Sequence, residues 1–202
     1  MPLVTTDILK EYLPEVTGTG SDTELSDLLD RVEANVARFL GFPAPDSSVT
    51  KTLAVATYTL YIDSYMYANI SVLPLPVRPV VTITSVHADP DREYGADTEV
   101  YADEYEIDKQ QGLLIIKTNT STVGFTKAYR GNKVVGTFGF TLFHKDLLHA
   151  VCVYASQLHR AKSSQGKKSS TVRNATTAYM PNTIPQEVKE ILYPYRNTYV
   201  II

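Results

Sequence analysis

A strand pattern that runs directly into a long apolar helix pattern, over residues 134–162, constrains the fold more than any other stretch. Residues 133–140 are rich in β-branched and aromatic side chains and predict a strand. The following helix carries an apolar stripe made by Leu147, Leu148, Val151, Cys152, Tyr154, Ala155 and Leu158. A helix that is apolar over most of its surface packs against several neighbours. The pattern therefore predicts a β segment leading into the central helix of a helical core.

The bulk composition describes a soluble globular protein. The chain has 202 residues, of which 44% are hydrophobic and 20% charged, and its formal net charge is -3. This length supports one substantial core, and the slight acidity argues against a basic nucleic-acid binder. The single cysteine, Cys152, lies in the apolar helix, so an intrachain disulfide is excluded. With no secretory signal pattern and no run of 18 apolar residues, we expect synthesis in a cytoplasm and no membrane contact.

Charge is distributed unevenly along the chain. Residues 1–47 contain nine acidic and three basic side chains, whereas residues 144–202 contain eight basic and three acidic ones. Oppositely charged ends can pair either within one fold or between neighbouring copies. The sequence leaves both possibilities open.

The first 76 residues read as three helices. Thr5 or Thr6 can cap the first one, which Pro14 ends. Ser21 and Glu24 form a capping box that begins the second, an amphipathic helix ending at Gly41. Residues 49–70 have strand-like composition, but 22 residues without Gly or Pro exceed an ordinary strand, so we predict a third helix capped within residues 46–48.

The remainder reads as a β segment followed by helices. The predicted strands are residues 80–86, 100–107, 113–118, 125–130 and 134–140. Residues 163–178 are predicted to form a mobile basic loop, and residues 186–192 are predicted to form a short helix after Pro185. The predicted fold class is mainly α with a β insertion (α+β), namely a bundle of four to five helices with an inserted antiparallel β module. Its domains are a helical bundle (1–76 and 141–195), the insertion (77–140), the loop (163–178) and a C-terminal tail (196–202).

No constellation in the sequence predicts catalysis, a metal or a cofactor. The acids after Asp89 resemble a calcium loop, but Val100 stands where the bidentate Glu belongs. His144 and His149 are five residues apart, which places them off one helix face. Lys167 and Lys168 resemble the end of a phosphate loop, but the loop's first glycine is missing. We therefore predict that the protein is not an enzyme.

Two segments remain as candidate contact sites. The basic loop carries Lys162, Lys167, Lys168 and Arg173, which are either solvated or attracted to phosphate. The C-terminal segment is dense in aromatic and apolar residues, and it either docks on the chain's own core or anchors a partner. Its candidate partner-binding residues are Tyr193, Tyr195, Arg196, Tyr199, Val200, Ile201 and Ile202.

The order of these segments resembles the head-tail connector, or adaptor, family of tailed bacteriophages, also called head-completion proteins. The resemblance covers nearly the whole chain and includes the two N-terminal helices, the strand entry at residues 77–86, the hairpin at residues 104–114 and the closing segment at residues 184–196. Thr137-Phe138-Gly139-Phe140 is similar to the family's aromatic-Gly-aromatic strand end. At the long helix, Leu142-Phe143-His144 departs from the family's proline-containing start.

The resemblance implies a structural virion protein at the neck, made in the host cytoplasm. Copies would form a ring, usually a dodecamer in this family, that docks on the portal protein and extends the DNA channel to the tail. The implied partners are the portal protein, a stopper or tail-completion protein, further copies of the chain and non-specific DNA in the channel. Two alternatives stay open, a tail-side completion or neck protein and a nucleic-acid-binding module that uses the basic loop.

Overall fold

The computed structural model describes residues 4–63, 71–117, 124–142, 144–162, 169–172, 175–178 and 184–197. Its α-helices are α1 (Thr6–Glu11), α2 (Asp22–Leu40), α3 (Lys145–Ala161) and α4 (Gln186–Leu192). Its strands are β1 (Ala56–Ile62), β2 (Val72–Pro74), β3 (Val80–Ala88), β4 (Tyr105–Asp108), β5 (Leu113–Ile116), β6 (Asn132–Phe138), β7 (Ser169–Val172) and β8 (Ala175–Ala178). The chain divides into two compact units, unit 1 (residues 1–36 and 142–196) and unit 2 (residues 37–141 and 197–202).

Unit 1 is built on the helices that the sequence predicts. Thr5 caps α1 by accepting from the amide of Ile8, and α2 begins at Asp22, one residue after the predicted capping-box serine. Helix α3 buries five of the seven residues of the predicted stripe and leaves Leu148 and Leu158 half-buried. Helix α4 spans the predicted residues and buries Val188 and Leu192. Helical periodicity is most reliable in long amphipathic segments, which is why these elements were predictable.

Unit 2 contains two three-stranded antiparallel sheets. In the first, β6 lies between β1 and β3, so that Ala56 and Val80 both pair with Phe138. Strand β3 is irregular beside Gly136, where a Cβ atom would lie 2.5 Å from the carbonyl oxygen of Thr82. Only glycine permits this close approach of two strands. The second sheet has the order β2, β5, β4, and it buries Leu73 and Leu114.

The predicted fold class, a helical bundle of four to five helices with a β insertion, is wrong. Among the described residues there are four α-helices, and two three-stranded sheets account for much of unit 2. Instead of the third helix predicted over residues 49–70, the chain forms β1, in which Tyr58, Leu60 and Ile62 are buried and Tyr61 is exposed. This two-residue alternation and the β-branched composition determine the local structure, and the length argument failed.

Other predicted strands are partly displaced. Strand β4 begins at Tyr105, five residues after the predicted start, and residues 125–130 form no strand but irregular backbone that ends in a turn. Strand β2 was not predicted because it lies among prolines. Strands β7 and β8 pair antiparallel inside residues 163–178, where a loop is predicted. Residues 163–168 and 173–174 lie outside the described residues, so the mobility of this segment and the separability of the predicted domains stay predictions.

Candidate functional site

The described C-terminal candidate residues, Tyr193, Tyr195 and Arg196, lie in unit 1 and differ in their contacts. Tyr195 follows α4 in a short 3₁₀ turn and folds back on the start of α3. Its hydroxyl donates to Oδ2 of Asp146 at 2.6 Å, and its ring centroid lies 5.7 Å from that of His144. Burial, together with the neighbouring carboxylate, raises the pKa of Tyr195 to about 12, while the tyrosine hydroxyl and backbone amides hold the pKa of Asp146 below its ordinary value. Tyr195 therefore has an intrachain role.

Tyr193 is the exposed member of this group, and Arg196, which is half-buried, lies beside it. The Tyr193 side chain is 65% exposed, and the guanidinium of Arg196 lies 5.8 Å from the centre of its ring. Tyr and Arg are enriched at the energetic centres of protein interfaces. Tyr199, Val200, Ile201 and Ile202 lie outside the described residues, and their role as an anchor stays a prediction.

Lys162, the first residue of the predicted basic loop, belongs structurally to the end of α3. Its ammonium contacts the carboxylate of Glu24 on α2, and two residues earlier Arg160 forms an ion pair with Glu15 at 2.9 Å. Hydrogen bonds from these two bases lower the pKa values of both carboxylates. The oppositely charged ends of the sequence thus meet inside unit 1. Lys167, Lys168 and Arg173 lie outside the described residues.

A polar groove of about 300 Å³ lies beside the ion pair of Lys162 with Glu24 in unit 1. Helix α2 contributes Glu24 and Arg31 to it, and α3 contributes Tyr154, His159 and Lys162. Sequence reasoning missed this groove, because nothing in the linear sequence aligns α2 with α3.

The acidic loop at Asp89 is a closed turn. The carboxylate of Asp89 accepts hydrogen bonds from the amides of Asp91, Glu93 and Tyr94 at 2.6–2.9 Å. Its burial opposes ionisation, but these amides outweigh that effect and the pKa lies below the ordinary value. The carboxylate oxygens that a cation would need are therefore engaged with the backbone. Within the described ranges, no group of three or more His, Cys, Asp or Glu side chains is placed to hold a metal ion.

Cys152 is fully buried in α3. Burial raises the pKa of its thiol to about 12. Because the thiolate is the nucleophilic form, this side chain is unreactive near neutral pH. In the part of the chain that the structure describes, no helix is both long and apolar enough to span a membrane.

Unit 2 carries a second groove, of about 510 Å³, that the sequence analysis also missed. It is lined by Lys51, Thr59, Arg130 and Asn197, and by apolar or aromatic residues that include Phe42, Tyr61 and Pro76. None of its described lining residues is acidic. This groove is called the basic groove below.

Asn197 is fixed at the wall of the basic groove by two backbone contacts. Its amide donates to the carbonyl of Leu40 at 2.7 Å, and its Oδ1 accepts from the amide of Arg78 at 3.1 Å. Its Nδ2 is buried and has no hydrogen-bond partner among the described residues. A buried donor without an acceptor is unfavourable, so this atom favours an incoming acceptor.

Aromatic and cationic side chains continue from the basic groove across the first sheet. Tyr61 on β1 and His87 on β3 both pair with Lys133 on β6, so all three lie on one face. The Arg130 guanidinium lies 4.5 Å from the Tyr61 ring centre, and the Lys133 ammonium lies 5.3 Å from that of Tyr94. Cation–π contacts of this kind hold the charges in fixed positions. Strand register determines this row, and the sequence did not reveal the register because β1 was assigned to a helix.

Comparison with known proteins gives one informative likeness. No protein-family model matches the chain, and no curated protein matches it. A chain in a solved structure described as the neck of a native gene transfer agent (GTA) particle, computed with C12 symmetry, aligns with a TM-score of 0.51 and 20% identity. The alignment covers 92% of this chain and 94% of that chain. A chain of the virion of a native GTA particle aligns with a TM-score of 0.49 and 20% identity, over 87% of this chain and 79% of that chain. The first likeness shows a shared fold.

Proposed function

We propose that this protein is a structural component of the neck of a phage-like virion. Specifically, it acts as a head-tail adaptor whose copies form a ring on the portal protein and extend the DNA channel to the tail. The observation that carries this proposal is the fold shared with a chain of a GTA particle neck, end to end in both chains. The order of sequence segments, which resembles the head-tail connector family, supports the same assignment independently.

The proposed role is structural and not catalytic. It requires surfaces that contact other proteins, and unit 1 offers the exposed Tyr193 with Arg196 next to its ring. We assign portal docking to this surface. Tyr195 supports it from within, because its contact with Asp146 fixes the chain immediately before Arg196. The stopper or tail-completion protein would bind elsewhere on the ring.

The proposal is tested by measuring mass in solution, by light scattering, for the protein alone and mixed with its candidate portal. We expect a large ring, or a monomer that joins the portal stoichiometrically. A chain that stays indifferent to portal but binds DNA in a salt-sensitive manner would contradict the adaptor role and favour a nucleic-acid-binding module.

The portal-binding surface is tested by a double variant, Tyr193→Ala with Arg196→Ala, and by removal of residues 198–202. The truncation keeps Tyr195 and Asn197, both of which make intrachain hydrogen bonds. Tyr129→Ala is the matched control, because Tyr129 is also largely exposed and lies in unit 2. If both altered proteins bind portal as tightly as the control, portal docking uses a different surface.

A further inference from the structure

The basic groove of unit 2 presents hydrogen-bond donors that lack acceptors. Lys51 and Arg130 supply positive charge, and Asn197 supplies a buried amide hydrogen donor with no partner among the described residues. Since no described lining residue is acidic, the groove is chemically complete only when a ligand brings carboxylate or carbonyl oxygens. Its aromatic and proline walls suit an aromatic or apolar side chain beside those oxygens.

Arg130 is positioned before any ligand arrives. Its guanidinium lies over the Tyr61 ring, and its backbone amide donates to Oδ1 of Asp63 at 2.7 Å. A side chain held in this way loses little conformational freedom when it pairs with a carboxylate. The groove is therefore a prearranged binding site for an acidic segment.

The size of the groove restricts the form of its occupant. A helix with side chains is roughly 10–12 Å in diameter, whereas the groove volume of about 510 Å³ accommodates a few side chains. A protruding turn fits this space better than a helix does. The occupant must also carry carboxylates that are not already paired.

One acidic turn of the same chain meets these requirements. Residues 101–106, called the acidic turn here, comprise the turn at residues 102–104 and the first two residues of β4, and they present the Tyr101 side chain at 59% exposure. Asp103 and Glu106 are exposed, and neither carboxylate has an ion pair or hydrogen bond among the described contacts. By contrast, Glu15 and Glu24 of unit 1 are already paired with Arg160 and Lys162.

We propose that the basic groove of one copy receives the acidic turn of a second copy, with Asp103 and Glu106 facing Lys51 and Arg130. Tyr101 enters the aromatic wall, and Asn197 Nδ2 donates to an oxygen of the turn. The contact joins different surfaces, so each added copy leaves a free groove and a free turn. Such heterologous contacts generate a ring when the rotation closes. This inference rests on the proposed ring and names its subunit contact.

Charge reversal with reciprocal rescue tests the contact. The groove variant carries Lys51→Glu and Arg130→Glu, and the turn variant carries Asp103→Lys and Glu106→Lys. Sedimentation velocity over a concentration series measures self-association of each protein. We expect each variant alone to associate at least about 30-fold more weakly than the unaltered chain, because like charges then face each other. An equimolar mixture should regain assembly, since both of its alternating contacts are complementary.

The controls each make one charge reversal of the same sign elsewhere in unit 2. Arg92→Glu and Asp91→Lys alter exposed residues of the Asp89 turn and should leave self-association unchanged. A mixture that stays dissociated overturns the proposed contact, as does assembly by either variant at the unaltered strength. An unaltered chain that remains monomeric at every concentration also overturns it. If that monomer still joins the portal, the neck function stands without this contact.

Discussion

Replacing Tyr195 by Phe isolates one hydrogen bond that fixes the C-terminal segment of unit 1. The hydroxyl donates to the Asp146 carboxylate at 2.6 Å, and the ring contact with His144 is kept in the variant. A hydrogen bond to a charged group contributes about 1.5–3 kcal/mol when shielded from water. Because Asp146 is exposed, we expect the smaller loss of about 1 kcal/mol in the free energy of unfolding.

Urea denaturation followed by circular dichroism measures this loss. With a slope of roughly 2–3 kcal/mol per molar urea for a chain of this size, the midpoint of Tyr195→Phe should fall by about 0.3–0.5 M. Tyr193→Phe is the matched control, because its hydroxyl is two residues away and has no hydrogen bond among the described contacts. Equal midpoints for the two variants would refute the reasoning.

The same pair has a defined pH dependence. The pKa of Asp146 is lowered in the folded protein. Its contribution to the free energy of unfolding is therefore fully present above the pKa of the unfolded chain, about 3.9, and is lost as the pH falls through the pKa of the folded protein. The pKa of Tyr195 is raised to about 12, so its contribution is present below its ordinary value of 10.0 and is lost as pH rises towards 12. The difference in free energy of unfolding between Tyr195→Phe and the unaltered protein should therefore become smaller at both low and high pH. A difference in free energy of unfolding that stays constant from pH 3 to pH 7 would contradict this account.

Three further outcomes follow from burial and close packing. Leu192→Ala, at a fully buried position of α4, should lower the free energy of unfolding by about 2–5 kcal/mol in chemical denaturation. Gly136→Ala should cost about 1–3 kcal/mol in the same assay, because its Cβ would lie 2.5 Å from the Thr82 carbonyl oxygen; a neutral substitution would show that the strands separate easily. Iodoacetamide should label Cys152 at pH 8 only after denaturation, as read by mass spectrometry, because the thiol is buried and its pKa is about 12.

The sequence predicted elements where one strong periodicity was available. Helices α2, α3 and α4 were found because their apolar stripes are long or bounded by Gly41 and Pro185. Strand β1 was missed because seven residues of alternation lie within a longer stretch without Gly or Pro, and length was given more weight than composition. That one error assigned the first strand of unit 2 to the predicted helical bundle.

Candidate sites were harder to predict because they depend on register. The C-terminal segment was predicted to be a contact site from its dense aromatic composition, but the sequence does not show that Tyr195 bonds to Asp146 while Tyr193 stays exposed. The row through Tyr61, Lys133 and His87 exists only once β1, β6 and β3 are paired. Cross-strand neighbours far apart in sequence leave no local signal.

The uneven charge of the sequence does not by itself explain how copies would associate. Much of it is resolved within unit 1, where Arg160 and Lys162 of the basic end meet Glu15 and Glu24 of the acidic end. These pairs are exposed, so each contributes little to stability, yet they occupy charges that would otherwise attract a neighbour. Charged contacts in the proposed ring would then use charges without internal partners. In the described residues of unit 2, the basic groove and the acidic turn supply such charges, and neither stands out in the linear charge distribution.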